Sequence, residues 1–181
     1  MVRVRVKKSV NVNRPVRAVF DYLANFQLHG EWDQDFKSYQ GPDGPVELGT
    51  VFVKREIDET IAGGPWGSAT VKSMKVATRS VTCVDRDRRL EYAIEGENSW
   101  LHRVEYFELE PTPEGTLIVK GTDLIFPSFS KNPWFYLVLL VPVVWPIVLI
   151  NLLFLPATAL SLWQDHGGKL RRIKKRLEAS S

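Results

Sequence analysis

The chain has 181 residues, 44% hydrophobic and 25% charged, with a formal net charge of +3. That balance is the one expected of a single globular domain with a sizeable core. One cysteine, Cys83, excludes an internal disulfide framework and a multi-cysteine metal site, and its strand-like setting (SVTCV) makes it a buried bystander. Six of the 24 Lys and Arg crowd into Lys169–Arg176, and no other basic stripe interleaves with aromatics, so nucleic acid is not an expected partner. The opening MVRVRVKKSV has no apolar segment of the kind a secretory signal needs, and a cytoplasmic-side location is the expectation.

Taken in chain order, residues 2–12 alternate apolar and polar with period two and predict a strand with one buried face. In NRPVRAVFDYLANF, Pro15 suits a first helical turn, and Val16, Val19, Phe20 and Leu23 share one helical face. LHGEWDQ predicts a short second helix or turn, and FKSYQ a brief strand. After the GPDGP punctuation, TVFVKREIDET is a strand, IAGGPWG a hairpin-like break, and SATVKSMKVATRSVTCV a long strand or one with a bulge. LEYAIEG, SWLHRVEYFELEP and TLIVKGTDLIF are three more alternating strands, with PTPEG turning between the last two. From 157 the chain is helical again, and Ala157, Leu160, Trp163, Gly167, Leu170, Ile173 and Leu177 make one apolar stripe. The basic cluster is expected on its opposite, outer face. Gly167 and Gly168 weaken that helix, or let the sheet approach it closely. The fold class is α+β: a curved antiparallel sheet of about seven strands around a long C-terminal helix.

RPVRAVFDYLANFQLHGEWDQDF, a glycine-rich turn, ELGTVF, DRDRRLEYAIEG and EGTLIV together resemble the START-like (SRPBCC) superfamily, in its polyketide cyclase/dehydrase and lipid-transport-like branch. Pro15, Phe20 and Trp32 match the proline, aromatic and tryptophan of that family's helical segment. The resemblance covers about 1–126 and 157–178. It implies a helix-grip fold with a hydrophobic ligand cavity, but fold does not by itself define activity. The departure from the family is an insert at 127–156, where relatives have a short loop.

Residues 132–164 contain no Asp, Glu, Lys, Arg or His, and about 20 such residues suffice to cross a bilayer. Trp134, Phe135, Tyr136, Trp145 and Phe154 are the expected membrane-contacting residues. One crossing would separate the gripping helix from its sheet. Pro142 and Pro146 disfavour a straight helix, so arms at 134–141 and 147–155 are expected to dip into the bilayer and return. A cavity lid and a dimer contact are the competing readings of the same run, and homo-oligomerisation stays open.

No HExxH, GxSxG, Walker or Rossmann pattern is present, and no metal or organic cofactor is expected. On SWLHRVEYF, Trp100, His102, Val104 and Tyr106 share one strand face. If that face is inward, His102 and Tyr106 are the candidate catalytic pair. Trp32, Phe52, Tyr92, Ile94, Trp100, His102, Tyr106, Leu160 and Trp163 are the expected ligand-binding residues. Which of Phe52/Lys54 or Val51/Val53/Arg55 faces inward stays open. His29, Glu31 and Asp33 flank Trp32 as solvated loop residues. The function expected is binding of a lipid- or isoprenoid-like ligand by a membrane-docked domain. The alternatives are a cyclase or dehydratase acting on a polyketide-like substrate, and an assembly protein.

Overall fold

The computed structural model describes residues 2–34, 36–64, 67–95, 102–126 and 144–179. Seven strands form one antiparallel sheet: β1 (Val2–Val12), β2 (Phe36–Gln40), β3 (Val51–Gly64), β4 (Gly67–Asp85), β5 (Arg89–Glu95), β6 (His102–Thr112) and β7 (Gly115–Phe126). Their spatial order is β1-β7-β6-β5-β4-β3-β2. From β2 to β7 each strand pairs with the next in sequence. β1 pairs with the last one, from Val2 opposite Phe126 to Val12 opposite Thr116. The helix α1 (Val16–Ala24) and a 3-10 turn (Phe26–Glu31) bridge β1 to β2, and α2 (Val144–Ala179) closes the chain.

Local chemistry explains the corners. Pro15 sits at the N-cap of α1, which buries Val19, Phe20, Leu23 and Ala24. The Asn25 side chain accepts from the Gln27 N–H and starts the 3-10 turn. Between β4 and β5, Asp87 takes φ +64, a left-handed geometry that Asp tolerates. Gly115, at φ +137, opens β7 under the end of β1, and a Cβ there would meet the Val12 carbonyl at 2.2 Å. The long strand β4 carries its irregularity between Val81 and Cys83. Cys83 itself is half-buried rather than buried.

The core lies between the concave face of the sheet and the C-terminal half of α2, where Leu170, Ile173 and Leu177 join Val12, Phe20, Leu23, Leu109 and Ile118. Two expectations about α2 change. It starts at Val144 rather than 157, so residues 147–155 belong to the gripping helix itself. Pro146 stands in the first turn, where an N–H has no helical partner anyway, and Pro156 is tolerated inside the helix. The apolar stripe also stops short: Leu160 and Trp163 are 56% and 45% exposed. Among the described residues no helix is long and apolar enough to cross a membrane.

Candidate functional site

Strand register sorts the inward side chains into rows. One row runs Val6, Thr122, Glu105, Tyr92, Val81, each opposite the next. The row on the α1 side is Lys8, Lys120, Phe107, Leu90, Val84. The row on the other side is Val4, Leu124, Arg103, Ile94, Arg79, Phe52. Charged side chains therefore stand in the middle of an otherwise apolar concave face.

Glu105 is the centre of this polar band. Its Oε2 accepts from the Tyr92 hydroxyl at 2.9 Å and from Lys120 Nζ at 3.3 Å. Arg79 approaches the same oxygen at 3.7 Å, and Arg103 donates to Oε1. Burial alone would raise the Glu105 pKa, yet Lys120, Arg103 and Arg79 hold it well below the carboxylate range. Burial pushes the Lys120 ammonium down to about 8, against the opposing pull of Glu105. Burial also drives the Tyr92 hydroxyl well above its ordinary value, with Glu105 adding to the shift.

From the helix side, α2 presents Asp165, His166 and Lys169. His166 is fully buried, and its Nε2 lies 3.0 Å from the Thr122 hydroxyl. Its Nδ1 has no hydrogen-bond partner among the described residues. Burial, reinforced by the Lys120 charge, holds the imidazole neutral with a pKa near 3. Lys169 bridges Asp165 at 3.1 Å and Asp33 at 3.2 Å. Asp33 also pairs with Lys54, which is 2% exposed. Burial opposes ionisation of Asp33, but Lys54 and Lys169 overcome it and depress its pKa.

Several sequence expectations change here. His29 and Asp33 are not solvated: both are buried, and His29 Nε2–H donates to the Leu23 carbonyl at 3.0 Å. Burial takes its pKa down to about 3. Glu31 is the exposed member of the three and accepts from the Tyr22 hydroxyl at 3.0 Å. The basic cluster is not wholly on the outer face, because Lys169 is buried and Arg172 Nε donates to the Trp32 carbonyl at 2.6 Å.

The proposed pair His102 and Tyr106 is placed on the wrong face. His102 is exposed. Tyr106 lies on the convex side over Gly121, flanked by Lys7 and Arg89. The inward parity of β6 is Arg103, Glu105, Phe107, Leu109. Of the other expected ligand contacts, Trp32, Phe52 and Tyr92 are buried on the concave side, and Ile94 packs against them. Phe52 and Lys54 settle the open parity of β3, with Val51 57% exposed on the opposite face. Phe52 stacks on Phe26 with centroids 4.1 Å apart, and Trp32 meets Phe107 edge-on at 6.1 Å. Leu160 and Trp163 face outward from the packed core, with Lys8 Nζ 3.4 Å over the Trp163 ring. Trp100, Trp134, Phe135 and Tyr136 lie outside the described residues, as do the side chains of Trp145 and Phe154.

Glu105, Lys120, Thr122, His166 and Arg79 are absent from the sequence-derived site, and Lys54 enters it only as one of two open parities of its strand. The signal for four of them was a charge occupying the apolar parity of a strand: Lys54 after Phe52, Arg79 before Val81, Glu105 before Phe107, Lys120 after Ile118. Two cavities flank α2 near its C-terminus. One of about 420 Å³ is bordered by Gln34, Arg172 and Arg176, and one of about 300 Å³ by Asn11, Glu114 and Lys174. Both lie at the C-terminal end of the helix, away from the polar band.

Residues 3–135 match the family model described as polyketide cyclase / dehydrase and lipid transport. The chain belongs to that family. Solved structures share the fold at low identity. The di-domain ARO/CYC StfQ of the steffimycin biosynthetic pathway is 16% identical with a TM-score of 0.63, over 98% of this chain and 51% of that one. Ara h 8.0201 is 12% identical with a TM-score of 0.61, over 98% and 99%. Protein MLL2253 from Mesorhizobium loti is 14% identical with a TM-score of 0.59, over 98% and 99%. No curated protein matches the chain. Family membership brings with it a hydrophobic ligand-binding or polyketide cyclase/dehydrase-like fold.

Proposed function

We propose that this member of the family binds a lipid- or isoprenoid-like ligand between the concave sheet and the N-terminal half of α2, and does so at a membrane surface. One observation carries the reading. Leu160 and Trp163 are exposed on α2, one to two turns before the buried polar band, and they continue the uncharged run 132–164. Apolar side chains left uncovered beside a ligand-binding fold favour an apolar occupant, and each buried methylene contributes about 0.8 kcal/mol. A domain that rests this end on lipid takes up its ligand without carrying it through water.

Vesicle sedimentation with the full chain tests the docking. Leu160→Lys with Trp163→Glu should cut the vesicle-bound fraction severalfold while lowering stability by no more than about 1 kcal/mol, the scale of the exposed Lys8–Trp163 contact that it removes. Mass spectrometry of material co-purifying in mild detergent tests the binding. Undiminished sedimentation of the double variant, together with no co-purified amphiphile, would sink the proposal.

Lys120 favours a second reading. An amine brought to about 8 beside a carboxylate and a phenol is poised for proton transfer to an enolisable carbonyl, worth typically 10²–10⁴-fold in rate. A chemically altered ligand from wild type, with unaltered precursor from Lys120→Met, would establish the cyclase or dehydratase reading instead.

A further inference from the structure

The larger cleft beside α2 has no part in the readings above. Its volume is about 420 Å³, and α2 lines it with Arg172, Lys175, Arg176 and Ala179. Those positions stand at i, i+3, i+4 and i+7, so a single helical face supplies the wall. Glu31 and Gln34, from the end of the 3-10 turn and the loop after it, line the other side. The volume is in the range of small-molecule pockets, about 300–1,000 Å³. Three cations and one carboxylate therefore border one small space, and that carboxylate already accepts from the Tyr22 hydroxyl at 3.0 Å.

Two of these cations differ from the other lysines of the helix. Lys169 has Asp165 and Asp33, and Lys174 has Glu178 at 3.7 Å. Among the described residues neither Arg172 nor Lys175 has a carboxylate within ion-pair distance. Arg172 is also fixed in place. Its Nε donates to the Trp32 carbonyl at 2.6 Å, and its guanidinium lies over Gly168, where a Cβ would approach Nη1 to 3.4 Å. Cations near a helix C-terminus offset the helix dipole, but that effect requires neither a cleft nor an arginine tied across it. Like charges three and four residues apart repel each other, and an anion between them reverses that repulsion. We propose that this cleft binds the phosphate group of a phosphomonoester. Such a group carries about −1.5 to −2 charge at neutral pH and three acceptor oxygens, which the Arg172 fork and the Lys175 ammonium meet in charge-assisted hydrogen bonds. A carboxylate brings one charge and leaves one of the two cations unmet. The proposal is independent of the ligand-binding reading, because Trp163 precedes Arg172 by nine residues, about 14 Å along the helix axis.

The full chain is titrated with glycerol 3-phosphate, inorganic phosphate and glycerol by calorimetry and 31P NMR, at about 0.1 M salt to screen diffuse surface attraction. Both phosphates should bind saturably and glycerol should not. Lys175→Gln should weaken glycerol 3-phosphate about tenfold, the scale of one charge-assisted hydrogen bond. Lys174→Gln removes the same charge one position away, from a lysine that Glu178 already meets, and should leave binding unchanged. Glu31→Gln removes the carboxylate that faces the cations and should tighten it. All three substitutions are at surface side chains, so the fold is expected to survive them. Vesicles of phosphatidylcholine with and without phosphatidic acid separate the two sources of the group. A gain with phosphatidic acid that Lys175→Gln abolishes names a lipid headgroup, and binding of the soluble phosphates without that gain names a soluble phosphomonoester. Equal losses in Lys174→Gln and Lys175→Gln would overturn the proposal in favour of diffuse attraction. No saturable binding of either soluble phosphate together with no gain from phosphatidic acid would overturn it as well, and assign the cations to the helix terminus.

Discussion

The two halves of α2 use the same helix for opposite purposes. From His166 to Leu177 the helix is held: Leu170 and Ile173 are at most 1% exposed, His166 reaches Thr122 on the sheet, Lys169 reaches Asp33, and Arg172 ties to Trp32. Before Gln164 it carries no charge, and Leu160 and Trp163 stand open. Pro156 lies within this second half and removes one backbone donor. A helix needs tertiary packing of one face for most of its stability. The difference therefore teaches that the grip belongs to roughly three turns, from His166 to Leu177, and that Leu160 and Trp163 are left open to solvent.

The largest effect should come from the polar band that anchors the held half. Glu105→Gln leaves Lys120 and Arg103 without their shared carboxylate, and loss of one partner of a buried pair costs about 3–5 kcal/mol. Urea unfolding should show this. A cost below about 1 kcal/mol would mean the band contributes little to holding the helix. Next, Ile173→Ala should cost about 2–5 kcal/mol as a core truncation, against about 0.5 kcal/mol or less for Leu160→Ala at an exposed site. Equal costs would erase the distinction between the halves.

The pH dependence gives a third measure. His29 is held neutral with a folded pKa near 3, against 6.5 unfolded. The unfolded state takes up the proton first, so stability is full above 6.5 and falls as pH drops from 6.5 toward 3, by about 1.4 kcal/mol per pH unit for one such group. His29→Gln keeps a donor within reach of the Leu23 carbonyl and should remove its share of that slope, leaving the comparable share of His166. An unchanged slope would place the acid sensitivity elsewhere. The smallest effect is at the boundary between the halves. A double-mutant cycle on Lys8 and Trp163 should return a coupling of about 0.5–1 kcal/mol, as for an exposed cation–π pair, and zero coupling would free Trp163 from the sheet entirely.

The elements themselves were legible, because period two and period 3.6 survive whatever the buried face contains. The alternating strands and the Leu170–Ile173–Leu177 stripe fall where the pattern puts them, and Pro15 stands at the N-cap of α1, just ahead of the first turn that the sequence assigns it. The phase of β6 was not legible. In HRVEYFEL the inward set begins with Arg103 and Glu105, while the outward set holds Val104 and Tyr106. A buried ion network inverts the usual sign of the pattern, and only the partners on other strands reveal it. The same cause hid Asp33, which looks like a loop carboxylate until Lys54 and Lys169 are seen to enclose it. His166 was invisible for a different reason: a lone histidine on a helix has no periodic signature, and its role comes from Thr122 on β7. The helix start escapes the sequence because Pro142 and Pro146 disfavour a straight helix there, whereas Pro146 falls in the first turn of α2 and Pro156 is absorbed inside it.

The pairing of β1 with β7 has a consequence for synthesis. β1 is made first, yet its one neighbour in the sheet runs from Gly115 to Phe126. At translation rates of roughly 5–20 residues per second, the strand waits on the order of 5–20 s with its edge unpaired. Throughout that interval the growing chain presents Val4, Val6, Val10 and Val12 without the helix that will cover them. Arg3, Arg5, Lys7 and Lys8, interleaved among these valines, place positive charge along the waiting edge. Charge of one sign along a free strand discourages a second nascent chain from pairing with it, and because β1 remains the edge of the finished sheet, Arg3, Arg5, Lys7 and Lys8 keep that role after β7 has paired.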